Sequence, residues 1–255
     1  MKLLILLTCL VIVSCESFGN TFSSSQSAPS NSNNPQGSTS PGISDRRADP
    51  DAANWNIDLL DTGKDADYLT ALEKDIILET NKVRTNPKKY SDLYIQPRLQ
   101  YYNGRYYSVP GQTTVLTQEG VAAVNACISA LNRVDSAGIL FPEKGLSLAA
   151  KDHVLDQSRT GQTGHNGSDR STPETRMRRH GTFGGTWILG ENIAYGEITG
   201  RDIVCGLLID DGVPSRGHRT NIMNKAFTQI GAGYGSHTQY RVSCTITYAD
   251  GYKSN

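Results

Sequence analysis

The chain has 255 residues, of which 25 are Lys or Arg and 25 are Asp or Glu, so its formal net charge is zero. That balance lacks the basic excess on which nucleic-acid binding rests, and no nucleic-acid partner is expected. No interior run approaches the roughly 18–20 apolar residues that a membrane-spanning helix needs.

The first residues point to export. Lys2 precedes an apolar run from Leu3 to Val13, broken only by Thr8 and Cys9. This is a short basic region and a short hydrophobic region, as in a signal peptide. The run ends in Ile12-Val13-Ser14-Cys15, which looks like a bacterial lipobox. Residues 1–15 are therefore read as a signal peptide, with Cys15 lipidated and the mature chain anchored to a membrane, at a bacterial cell surface or in the periplasm. The alternative is secretory cleavage near Ser14, Ser17 or Gly19.

Residues 16–66 read as a disordered tether. The stretch Ser23 to Pro35 is built from Ser, Asn, Gln, Ala and Pro and has no apolar periodicity. It cannot bury enough surface to offset the entropy of ordering. A flexible chain spans about 5–6 Å times the square root of its length, which holds a domain clear of a membrane surface.

A folded domain is expected over residues 67–250. Tyr68 to Arg84 carries Leu69, Leu72, Ile76 and Val83 at helical spacing. The helix stops at Asn86-Pro87, because proline disfavours helix in the residue before it. Tyr90 to Pro110 is tyrosine-rich and reads as irregular. Glu119 to Arg133 and Leu146 to Arg159 read as helices. Ser171-Thr172-Pro173-Glu174 starts another, with a hydroxyl cap, an early proline and an acid in the first turn. Gly200 to Leu208 reads as a short helix. Phe227 to Tyr234 and Gln239 to Tyr248 read as strands of a hairpin that turns at Ser236-His237. Helices around a few antiparallel strands imply an α+β domain. Cys127, Cys205 and Cys244 are an odd set in apolar stretches with no CxxC spacing, and are read as buried thiols.

Three segments concentrate chemistry-bearing residues: Gly161 to Asp169 with His165, Gly190-Glu191-Asn192-Ile193, and Ser215-Arg216-Gly217-His218-Arg219-Thr220-Asn221-Ile222. All three read as glycine-flanked turns that could converge on a scaffold. Two imidazoles and a carboxylate form a zinc ligand set with an open position, and Asp210 or Asp211 could add a second acid. Singly, each residue also has an ordinary structural explanation, as a loop histidine, a turn cap or a solvated helix end.

In order and spacing these segments resemble the CAP superfamily: the cysteine-rich secretory proteins, antigen 5 and pathogenesis-related 1 proteins, and their bacterial relatives. The resemblance runs from about Leu69 to Tyr248 and includes Leu148-Ala149-Ala150-Lys151-Asp152-His153. It implies an α-β-α sandwich with a central cleft carrying two histidines and two acids, which some members use to bind a divalent metal such as zinc. By motif position these are His165, Glu191 and His218, with Asp210 as the second acid. The family's usual tryptophan before that acid is missing here, and Asp210 is shorter than the usual glutamate. The resemblance implies a binding module for a small apolar molecule, lipid or peptide, and a host or cell-surface partner. The competing reading is a metal-dependent hydrolase on the same residues, with Ser215 as a conceivable nucleophile beside His218.

Overall fold

A computed structural model describes residues 10–13 and 52–255. Cys15, its lipobox serine and residues 16–51 of the expected tether lie outside the described residues.

Leu10–Val13 forms strand β1. The domain itself begins earlier than its composition suggests. Ile57–Leu60 is a helical turn, α1, capped by the Asn56 side chain. Trp55 and Leu60 are buried in the main core, and the Trp55 indole N–H donates to the Tyr94 hydroxyl at 2.9 Å. Residues 55–66 therefore do not belong to a tether. Their frequent acids hide a few large apolar side chains that find partners only in the folded domain.

Ala71–Thr85 is α2, started by a capping box in which Thr70 and Glu73 satisfy each other's backbone N–H. It ends at Asn86, and Pro87–Tyr90 follows as α3. The tyrosine-rich segment is more regular than expected. Residues 91–101 continue as π and 3-10 turns, and Tyr102–Asn103, Tyr106–Tyr107 and Val115–Leu116 (β2, β3, β4) form a small three-stranded sheet. Val121–Leu131 is α4, Phe141–Pro142 is β5, Lys144–Thr160 is α5 and Pro173–Arg179 is α6.

The largest departure from expectation is the 15-residue strand β6, Gly181–Tyr195. Helices α7, Gly200–Ile209, and α8, Gly217–Ile222, follow it. Strands β7, Gln229–His237, and β8, Arg241–Ser254, complete a sheet of order β1-β6-β8-β7-β5. The hairpin turn is thus at 238–240, just beyond Ser236-His237. β6 pairs antiparallel with β8, and β1 runs parallel to β6 with Val13 opposite Glu191.

Alternation of side chains along the strands divides the two faces. On one face, α5 and α6 close over Leu146, Met177, Leu189 and Tyr252. On the other, α2, α4 and α7 bury Ile76, Val124, Val204, Ile246 and Tyr248. This is the expected α+β sandwich. Helix α5 can lie directly on β7 because that strand has glycine at alternate positions 231, 233 and 235. A Cβ on Gly231 would meet the Leu146 carbonyl carbon at 2.3 Å, and one on Gly233 would meet that of Ala150 at 2.7 Å.

Arg84 ties α2 to the chain after α8. Its buried guanidinium donates to the carbonyls of Gly138, Ile222, Asn224 and Phe227 at 2.7–3.0 Å. Burial lowers its pKa to about 10. Cys127, Cys205 and Cys244 are buried free thiols.

Candidate functional site

Glu191 lies inside β6 rather than on a turn, and its side chain is fully buried. One carboxylate oxygen lies 2.9 Å from His165 Nδ1. Arg176 Nη2, from α6, donates to both oxygens at 3.0 and 2.7 Å. Burial alone would raise the Glu191 pKa, but the His165 hydrogen bond and the Arg176 charge outweigh it and hold the pKa below its ordinary value. An ionised Glu191 accepts only. His165 therefore carries a proton on Nδ1.

Asp210 and His218 repeat this construction. Asp210 ends α7 in a left-handed conformation, φ 58°. Its Oδ1 lies 2.5 Å from His218 Nδ1, and its Oδ2 accepts the backbone N–H of His218 at 3.0 Å. His218 sits in the first turn of α8 rather than in a loop, and it is buried. Its Nε2 is buried and has no hydrogen-bond partner. Asp211 turns elsewhere: its carboxylate accepts the backbone N–H groups of Gln118 and Glu119 before α4.

Strand β6 links the two pairs. Asn192 donates to the His218 carbonyl at 3.0 Å, and Asn221 donates to the Glu191 carbonyl at 3.2 Å and to Asn192 Oδ1 at 2.9 Å. Both imidazoles are thus referenced to adjacent residues of one strand. The carboxylates hold Nδ1 of each ring, which makes them orienting partners for the imidazoles. Among the described residues, no three His, Cys, Asp or Glu side chains gather as a metal-ligating group. Ser215 is exposed and is not hydrogen-bonded to His218.

Of two further residues near the site, His153 lay in the family segment Leu148–His153 without an assigned role, and Arg176 carried no motif. Arg176 belongs to the inward stripe of α6 with Pro173 and Met177, at i, i+3 and i+4 spacing. A charged residue on such a stripe is the one signal that could have marked it. His153 is buried on α5, and its Nε2 lies 2.6 Å from the Gly164 carbonyl. Separately, an open groove of about 480 Å³ lies between α4 and α8, lined by Leu131, Val134, Arg219 and Met223.

Residues 140–248 match the sequence profile of the cysteine-rich secretory protein family, CAP. No curated protein matches the chain. Among solved structures, an extracellular protein containing a SCP domain from Bacillus anthracis str. Ames is 24% identical, with a TM-score of 0.35, over 44% of this chain and 34% of that one. This chain therefore spans about a third of the length of the Bacillus protein. An outer surface protein of Borrelia burgdorferi is 17% identical, with a TM-score of 0.36, over 53% of this chain and 91% of that one. The family match contains His165, Arg176, Glu191, Asp210 and His218, so residues 140–248 carry the signature of a CAP domain.

Proposed function

We propose that this protein is an exported binding module in which His165 and His218 present ring nitrogens to the polar end of a small apolar molecule, lipid or peptide. The observation that carries this reading is His218. Its ring is held through Nδ1 by Asp210, and its Nε2 is buried without a partner. A buried polar atom left unpaired costs about 1–3 kcal/mol, which a ligand would offset. The His165–Glu191 pair has the same polarity.

A divalent cation such as zinc would be held by the two imidazoles as its protein ligands. When bound, it would supply positive charge and open coordination positions for the ligand's polar end. The protein's own part is to hold each ring through Nδ1 in a fixed orientation. The hydrolase alternative has less support, because Glu191 and Asp210 are each engaged with an imidazole Nδ1 and, among the described residues, no hydroxyl or thiol is hydrogen-bonded to His218 Nε2.

Calorimetric titration with zinc tests the metal. Uptake is expected near neutral pH and should weaken in acid, because protonated imidazole cannot ligate. The double substitution His165→Ala and His218→Ala should abolish it with the circular dichroism unchanged. No uptake by the unsubstituted protein rejects the metal, and uptake that survives the double substitution rejects the site.

On this reading the mature chain is held at a membrane by lipidated Cys15, supported by the sequence Ile12-Val13-Ser14-Cys15. Labelled fatty acid should enter the wild-type chain and not Cys15→Ala. Equal labelling of the two would reject the anchor.

A further inference from the structure

The loop Gly161–His165 leaves the end of α5 and delivers one of the two histidines. Gly164, immediately before His165, has φ 98°, a conformation that strains any side chain. Both of its backbone polar groups are held by side chains. Its N–H donates to the Tyr195 hydroxyl at 3.1 Å. Its carbonyl accepts from His153 Nε2 at 2.6 Å and from Gln157 Nε2 at 2.8 Å. Gln157 and Tyr195 also hydrogen-bond each other. On the other side, Arg176 Nη1 donates to the His165 carbonyl at 3.0 Å.

His153 makes the purpose of this arrangement specific. With its Nε2 proton directed at Gly164, its Nδ1 carries a lone pair that is buried and has no partner. Burial also lowers its pKa, so the ring is neutral. An aliphatic residue at 153 would avoid the cost of the unpaired nitrogen. What the imidazole adds is a rigid donor to the peptide that precedes His165.

We propose that His153, Gln157 and Tyr195 are positioning residues that act through Gly164 to fix the His165 ring against Glu191. This rests on the reading of His165 as a ligand-facing imidazole. Ligating groups must be held to within about 0.5 Å by packing and supporting hydrogen bonds, and a glycine loop lacks that rigidity unless its backbone is pinned.

The test is imidazole ¹⁵N NMR on the full chain near neutral pH, with His218 as an internal reference, alongside zinc titration. The unsubstituted chain should show His165 as a single Nδ1–H tautomer. Tyr195→Phe keeps the ring and its packing but removes the hydroxyl, and His153→Leu removes the donor. Each should turn the His165 signal into an average of two tautomers, leave His218 unchanged, and weaken zinc uptake about tenfold. His153→Gln restores an N–H donor and should recover the His165 signal. A His165 tautomer unchanged in Tyr195→Phe overturns the proposal, whatever the variant's stability. If the chain takes up no zinc, the metal reading fails, and the tautomer decides this proposal by itself. Should His153→Leu fail to fold, Tyr195→Phe carries the test.

Discussion

Glu191 and Asp210 each hold an imidazole Nδ1, at 2.9 and 2.5 Å, but their other partners differ in kind. Glu191 receives one guanidinium nitrogen of another element on both of its oxygens, whereas Asp210 receives backbone N–H groups at the start of α8. The backbone explains the difference. Inside a sheet the N–H groups are committed to neighbouring strands, so a carboxylate buried there needs a cation brought to it. The first turn of a helix has N–H groups with no intrahelical acceptor, and an adjacent acid can use them. Glu197 is a third case. Its Oε2 is buried with no hydrogen-bond partner, and burial pushes its pKa up to about 7. Burial acts in the same direction on Glu191 and Glu197, and their partners decide where each pKa ends.

Removing the cation from the first pair should have the largest effect. Arg176→Met leaves a buried carboxylate without its counter-charge and should cost about 3–5 kcal/mol in urea unfolding near neutral pH. The folded-state pKa of Glu191 lies below its unfolded value. Its stabilisation is therefore present above the unfolded pKa of about 4.3 and is lost as pH falls through the folded pKa. The gap between wild type and variant should close along that acid limb. A loss below about 1 kcal/mol at neutral pH would show that Glu191 does not depend on Arg176.

The second pair should respond differently. Asp210→Asn keeps an acceptor for the His218 N–H but removes the negative charge behind the imidazole. Zinc affinity should fall about 10–100-fold, equivalent to roughly 1.4–2.8 kcal/mol, with a much smaller change in unfolding free energy. A variant that unfolds as readily as Arg176→Met would erase the distinction between the two supports.

The smallest effect is expected at Glu197. A carboxyl whose folded pKa is raised loses stability as pH climbs from its unfolded value to its folded one. Glu197→Gln should therefore match wild type below about pH 4.5 and become the more stable of the two as pH rises to about 7. Identical stability curves across that range would place Glu197 in water rather than in the core.

Much of the helical layer was legible in the sequence. Helix α2 carries its own start and stop, in Thr70 with Glu73 and in Asn86-Pro87, and α6 carries Thr172-Pro173. Such signals are local, since a cap and its N–H lie within one turn. Strand β6 carried none. Its run Phe183-Gly184-Gly185-Thr186 reads as a break, and Leu189 to Ala194 is buried on both faces, so no alternation appears. Gly190 and Gly196 made Glu191 look like a turn residue. The start of the domain was hidden too, because Trp55 and Leu60 lie among acids and polar residues.

By itself, the sequence determined the helical caps and the family motifs, and it singled out His165, Glu191, Asp210 and His218 as candidates. Tertiary structure alone decided that each acid orients a ring, that Asp211 serves the loop before α4, and that Arg176 completes the first pair. A helix cap is satisfied within a few residues and leaves a local pattern. The counter-charge of a buried carboxylate must come from wherever the fold brings a cation within hydrogen-bonding reach, and sequence spacing does not record that distance.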